Sequence, residues 1–113
     1  MRYYFKTVHV DGVEGEYEGF SLDYYLLEKE VCIESKCANR FGVEIYKRAK
    51  RADGTPYAEY RKIFDVFQTA GEAMEVLELM ARNTVTPISM KDILEDLLGI
   101  ADFAGEVAVS EAV

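Results

Sequence analysis

Residues 69–99 read TAGEAMEVLELMARNTVTPISMKDILEDLLG and decide the fold. Thr69 followed by Glu72 matches a capping box, in which each side chain satisfies a free backbone donor of the other residue. Apolar residues then recur at helical spacing, at Ala73, Val76, Leu77 and Met80. Asn83 is the predicted end of this helix, because asparagine tolerates the left-handed conformation found there. The pattern predicts one amphipathic helix of about three turns.

A second helix is predicted after a turn marked by Pro87, which disfavours helical backbone at Thr86. Ser89 with Asp92 three residues later is a second start signal. The apolar spacing resumes at Met90, Ile93, Leu94 and Leu97, and Gly99 suits the position after a helix end. Isolated helices this short are marginal in water. Both must therefore pack on other elements.

The residues before Thr69 are typical of strands, being rich in aromatic and β-branched residues. The predicted strands are 2–10, 22–34 (with a bend or bulge), 41–50 and 57–67, and Asp53-Gly54 predicts a hairpin between the last two. Strands joined by short connections pair antiparallel. We therefore predict an α+β fold, with a three- or four-stranded antiparallel sheet covered on one face by the two C-terminal helices.

Composition predicts one globular domain over residues 1–99, followed by an acidic tail, 100–113, which is either disordered or adds a short strand or helix against a partner. Half of the 113 residues are apolar, yet no apolar run is long enough to cross a bilayer. The N-terminus also lacks the apolar segment of a signal peptide. We expect a cytoplasmic protein with no membrane association.

The net charge of −8 is unevenly distributed. Residues 41–68 carry six basic and four acidic side chains, whereas residues 69–113 carry two basic and nine acidic ones. The overall sign disfavours non-specific binding to nucleic acid or to an anionic membrane.

No motif predicts a catalytic residue, a cofactor or a metal site. Cys32 and Cys37 are expected to be reduced thiols in a cytosolic protein. Together with His9 they supply only three of the four ligands of a structural zinc site, unless two chains share the metal. His9 has no committed nucleophile or carboxylate partner in the sequence.

Two charged clusters are candidate interaction surfaces. Asp92, Glu95 and Asp96 lie on the second helix, where they form a solvated face, a surface for a basic partner, or a pair of carboxylates for a metal or for acid–base chemistry. The second cluster comprises Lys47, Arg48, Lys50 and Arg51 at a hairpin end. It forms a soluble strand edge, a phosphate contact, or the complement of the acidic helix in a second copy. Nucleic-acid binding is the less favoured use.

Several motifs resemble those of a small uncharacterised bacterial family. These motifs are a YGIEI-like strand at 41–45, an I-x-DI-like strand at 64–66 and a closing P-I-x-x-x-D-V-I-E-D-F-L-like helix, matched here by Pro87, Ile88 and residues 92–98. The resemblance covers roughly residues 22–99 and departs from the family at Phe41, Leu94 and Leu97. It implies an architecture and transfers no catalytic residue.

We therefore predict a protein-interaction or regulatory module with an unidentified protein partner, self-associating as a homodimer through the uncovered sheet face or an edge strand. The alternative is a small enzyme or small-molecule-binding protein with a pocket between sheet and helices. A deep pocket holding a carboxylate of perturbed pKa favours the alternative, and a flat, exposed aromatic patch favours the interaction module.

Overall fold

The computed structural model describes residues 1–15, 18–98 and 108–110. Its elements in chain order are β1 (Arg2–Val10), β2 (Phe20–Ile33), β3 (Lys36–Lys50), β4 (Pro56–Phe67), α1 (Ala70–Arg82), α2 (Pro87–Leu98) and β5 (Ala108–Ser110). The strands form one antiparallel sheet in sequence order. The predicted α+β fold is confirmed, with four long strands and a short fifth strand at the β4 edge.

Both helices begin with a hydroxyl cap. The Thr69 side chain accepts a hydrogen bond from the backbone N–H of Glu72 at 3.2 Å, as the sequence predicts. The second helix begins at Pro87, so its cap is Thr86, three residues before the predicted cap Ser89. Thr86 accepts a hydrogen bond from the Ser89 N–H at 3.4 Å, and Pro87 occupies the first helical position, where its missing N–H costs nothing. Ser89 therefore lies inside the helix, where it hydrogen-bonds to the cap residue Thr86, and it is not itself the cap.

The end of α1 also differs in detail from the prediction. Asn83 closes the helix with a negative φ of −98°, and the left-handed residue is Thr84, at φ 49°. The Asn83 side-chain amide donates to the Leu79 carbonyl at 2.8 Å. The same Leu79 carbonyl also accepts the Asn83 backbone N–H at 3.1 Å, so Asn83 ends the helix with two hydrogen bonds to one carbonyl.

The core lies between one face of the sheet and the two helices. Its sheet side is formed by Leu22, Tyr24, Val43, Ile45, Ile63 and Phe67, and its helix side by Ala73, Leu77, Met80, Met90 and Leu94. The Tyr24 ring is fully buried, and its hydroxyl donates to the Val85 carbonyl at 2.9 Å, in the α1–α2 connection. This bond ties the helical hairpin to the centre of the sheet.

The strand irregularities lie in β1 and β4, not in β2 as predicted. The β1–β2 register shifts at Phe5, and β4 bulges between Ile63 and Phe67, with Asp65 left-handed at φ 58°. Opposite this bulge, a Cβ on Gly42 would lie 2.1 Å from the Ile63 carbonyl oxygen. Only glycine fits there, because the bulged backbone of β4 crosses so close to β3.

The β2–β3 hairpin extends beyond the other strands. Residues 35–40, predicted to be a polar connection, are mostly strand, because β3 begins at Lys36 and continues in register with β2. The turn is only Glu34 and Ser35. We call residues 30–39 the arm: in the described part of the chain no third strand pairs with them, since β1 reaches only Leu27 and β4 only Phe41.

The Asp53-Gly54 turn joins β3 and β4 as predicted, with Gly54 at φ 87°. In the acidic tail, residues 108–110 pair with β4 of the same chain, whereas the sequence suggests a strand or helix against a partner as one alternative. Gly99 and the rest of the predicted tail lie outside the described residues, and the boundary at residue 99 stays a prediction. Neither α1 nor α2 has the length and apolar character that crossing a membrane requires.

Candidate interaction surface

The sheet face opposite the helices has no layer of secondary structure over it in the described residues. Side chains alternate between the two faces of a strand, so the neighbours of the core residues point to this side. We call it the open face and define it by Arg2, Tyr4, Thr7, Asp23, Tyr25, Glu44, Tyr46, Arg48, Tyr60 and Lys62. It is polar and aromatic where the covered face is aliphatic.

Glu44 is buried on this open face by its own neighbours. Only 1% of the residue is exposed, and its carboxylate accepts hydrogen bonds from Arg2 Nε at 2.8 Å and Nη2 at 3.3 Å. The Arg2 guanidinium also lies 3.5 Å from the centre of the Tyr25 ring. Arg2 therefore covers Glu44, neutralises it and stacks on an aromatic ring at once.

A second ion pair on the open face joins Asp23 of β2 to Arg48 of β3. Asp23 accepts hydrogen bonds from Arg48 at 2.9 and 3.1 Å and from the Thr7 hydroxyl at 2.6 Å. Burial alone would raise the pKa of Asp23, but the hydrogen bonds from Arg48 and Thr7 outweigh it and hold that pKa below its usual value. Asp23 stays ionised at neutral pH and is not poised to act as a general acid.

Four tyrosines accompany these ion pairs. The rings of Tyr4 and Tyr25 meet edge to face at 5.9 Å between centroids, and those of Tyr46 and Tyr60 stack at 6.1 Å. Tyr4 is 63% exposed. Lys62 Nζ lies 5.8 Å from the centre of the Tyr60 ring. Tyrosine and arginine are enriched at protein interfaces, because they combine apolar area with a polar end.

The predicted basic cluster does not form a single patch. Lys47 points to the helix side, with its Nζ 4.5 Å from the centre of the Phe20 ring, whereas Arg48 points to the open face and pairs with Asp23. Lys50 follows at the end of β3, and Arg51 lies 5.4 Å from the centre of the Tyr57 ring. Strand alternation places Lys47 and Arg48 on opposite faces of the sheet, which weakens the case for a phosphate-binding cluster.

The predicted acidic cluster lies on α2, as expected. Asp92 and Asp96 are exposed, and the half-buried Glu95 lies 3.6 Å from Lys91, one helical turn earlier. Their use as an interaction surface stays a prediction.

Cys32 and Cys37 form a disulfide across the arm, so the expectation of reduced thiols is wrong for this structure. They are exposed and directly opposite each other in the β2–β3 register. Glu30 lies beside them, and these three residues are the one group of potential metal ligands within 4.8 Å of one another among the described residues. Three donors are one fewer than a structural zinc site needs, and disulfide sulfurs are not thiolate ligands.

A cavity at one end of the sheet bears on the predicted ligand-binding alternative. A shallow cavity of about 690 Å³ lies at the end of the sheet, lined by residues that include His9, Ser21, Tyr46 and Arg48. His9 Nδ1 lies 2.7 Å from Ser21 Oγ, and Arg48 is already paired with Asp23. This cavity lies away from the predicted position between sheet and helices.

Sequence reasoning missed the three charged residues at the centre of this surface: Arg2, Asp23 and Glu44. Glu44 falls on the polar parity of an alternating strand, where a carboxylate is ordinarily solvated. Its burial depends on the register that places Arg2 above it, two strands away. The sequence signal that could have indicated this surface is the number of tyrosines and arginines at the strand positions that point to the open face.

A family model matches residues 6–99, and its description is "Family of unknown function (DUF6514)". The match includes most of β1, which the motif resemblance left out. No curated protein matches this chain, and no solved structure matches it.

Proposed function

Because this chain belongs to DUF6514, a family of unknown function, no activity comes from its relatives, and we propose that it is a protein-interaction module that dimerises through the open face. The observation that carries the proposal is this face itself: a surface of tyrosines and arginines on the side of the sheet without helices, where Tyr4 is exposed and Tyr25, Tyr46 and Tyr60 are half-buried. The cytoplasmic location predicted from the sequence is part of the proposal.

The distribution of charge supports a second copy as the occupant. The helices present six carboxylates and two cations: Glu72, Glu75, Glu78, Asp92, Glu95 and Asp96 against Arg82 and Lys91. The open face carries three cations, Arg2, Arg48 and Lys62, against Asp23 and Glu44. Two copies of a chain with net charge −8 repel each other at long range, so the face of lowest negative charge is where they approach most easily.

The open face is also suited to a two-fold contact. A symmetric dimer buries the same patch on both copies, so that patch must complement itself. Arginine–carboxylate pairs alternating with tyrosines meet this condition, because a cation of one copy can approach a carboxylate or an aromatic ring of the other.

The edge strand β1 is a less suitable contact. Phe5 interrupts its register, and Lys6 lies in its middle, 3.1 Å from Glu78 of α1. Bulges and lysines on an edge strand oppose pairing with another chain. These features favour the open face over the edge strand, which the sequence leaves as an equal alternative.

Sedimentation equilibrium of Tyr4→Ser and Tyr3→Ser tests the proposal. These neighbours point to opposite faces of β1, and each hydroxyl donates an exposed hydrogen bond, to Thr7 and to Glu28 respectively. We expect Tyr4→Ser to weaken dimerisation about tenfold or more, as loss of a central interface tyrosine does, and Tyr3→Ser to leave it unchanged.

Two results would contradict the proposal: a monomeric wild-type protein at all concentrations, or equal effects of the two substitutions. Aromatic rings and cations on a sheet also suit single-stranded nucleic acid, although the net charge opposes it. Oligonucleotide binding that is lost in Tyr4→Ser would replace the proposal.

A further inference from the structure

The arm is the least supported part of the described chain. Among the described residues, 30–39 pair only with one another, and a two-stranded ribbon without a third strand or a helix is marginally stable in water. Its side chains from Cys32 to Asn39 are all exposed, so no core packing fixes it. The order of the arm must therefore come from its turn and its cross-link.

The turn itself opposes the hairpin. Glu34 and Ser35 form a two-residue connection with φ 51° and 66°, so both residues are left-handed. Tight hairpin turns of this kind strongly prefer Asn-Gly, because other side chains are strained at positive φ. The conformation of Glu34 and Ser35 therefore destabilises the hairpin, and another interaction must offset this cost.

The Cys32–Cys37 disulfide is positioned to offset the unfavourable turn. The two residues face each other one pair beyond Ile33 and Lys36, which flank the turn. The cross-link closes a short loop and holds the register that the turn alone disfavours. Both cysteines are exposed, so small thiols and disulfides can reach them.

We propose that Cys32 and Cys37 are a reversible thiol–disulfide couple that sets the order of the arm. In the oxidising direction, the thiolate of one cysteine attacks a small disulfide such as oxidised glutathione, forming a mixed disulfide and releasing one reduced thiol. The second cysteine then displaces the other thiol and closes the protein disulfide. The protein loses two hydrogens, and the small disulfide becomes two thiols.

The couple acts without disturbing the core, because the arm begins beyond Leu27 and Phe41, where the flanking strands end. In a reducing environment the arm opens, and in an oxidising one it is a closed ribbon that presents Ile33, 70% exposed, beside its turn. This inference goes beyond the open-face dimer and does not depend on it.

The full-length protein equilibrated in mixtures of reduced and oxidised glutathione provides the test. Thiol alkylation with mass spectrometry counts free cysteines, and amide hydrogen exchange reports the order of the arm. We expect a reversible transition within the glutathione range, with arm amides exchanging about tenfold or more faster in the reduced protein and core amides unchanged.

A turn variant separates redox control from general loosening. Glu34→Asn with Ser35→Gly supplies the preferred turn, so its reduced form should keep slow exchange in the arm. Cys32→Ser with Cys37→Ser should exchange like the reduced wild type under every condition. Slow exchange in the reduced wild-type arm, cysteines that never pair, or disulfides only between chains would overturn the proposal.

Discussion

Removal of Arg2 should reveal how the open face protects a buried carboxylate. In Arg2→Met, the aliphatic stem still covers Glu44, but the carboxylate loses its hydrogen bonds at 2.8 and 3.3 Å. Breaking a fully buried ion pair costs about 3–5 kcal/mol. The Arg2 side chain is 44% exposed, so water reaches part of the site and the expected loss is smaller, about 1.5–3 kcal/mol. For a domain of this size, that lowers Tm by about 10 °C.

A double substitution sharpens the test. Arg2→Met with Glu44→Met removes both charges, so no buried carboxylate is left without a partner, and the double variant should recover most of the stability. Lys6→Met is the matched control on the same strand. It breaks an exposed pair with Glu78 and should cost no more than about 0.5 kcal/mol.

Urea unfolding followed by circular dichroism at one fixed protein concentration measures these differences, because dimerisation makes stability concentration-dependent. The reasoning fails if Arg2→Met is as stable as the wild type. It also fails if the double variant loses as much free energy of unfolding as the single variants Arg2→Met and Glu44→Met lose in sum.

Three further substitutions test the fold and its charges. Gly42→Ala should cost at least about 2 kcal/mol in urea unfolding, because its Cβ meets the β4 backbone, whereas Gly71→Ala in α1 should stabilise slightly; equal effects would contradict the close strand approach. Tyr24→Phe should cost about 1–2 kcal/mol, because the Val85 carbonyl loses its buried donor, and an unchanged Tm argues against that bond. The folded-state pKa of Asp23 is lowered, so its stabilisation is present above the unfolded pKa of about 3.9 and lost as pH falls below it; the stability gap between wild type and Asp23→Asn should shrink in acid, and a constant gap would refute this.

The sequence predicts the elements of this fold better than their junctions. The helical hairpin and the α+β class follow from apolar spacing and from the Thr69 cap, because these signals are local. The predicted cap of α2 is three residues late, because Ser89 has the pattern of a cap and its hydrogen bond to Thr86 is not visible in the sequence. The β2 bulge was wrong because the break in its alternation reflects two differently covered faces, with Leu27 buried on the open side.

The candidate surface was harder to predict than the fold. Local charge density drew attention to the clusters at 47–51 and 92–96, yet a strand divides the first between two faces. The central pair, Arg2 and Glu44, joins residues 42 positions apart through two strand registers. The disulfide was missed because its pairing depends on a two-residue turn that lacks the usual glycine.

The most direct test of the open-face dimer is a dilution series of two-dimensional NMR spectra. The account predicts that resonances of Tyr4, Tyr25 and Tyr46 shift with protein concentration along a single binding curve, while those of the outer surfaces of α1 and α2 stay constant. Shifts confined to the helices, or spectra that do not change with concentration, would contradict it.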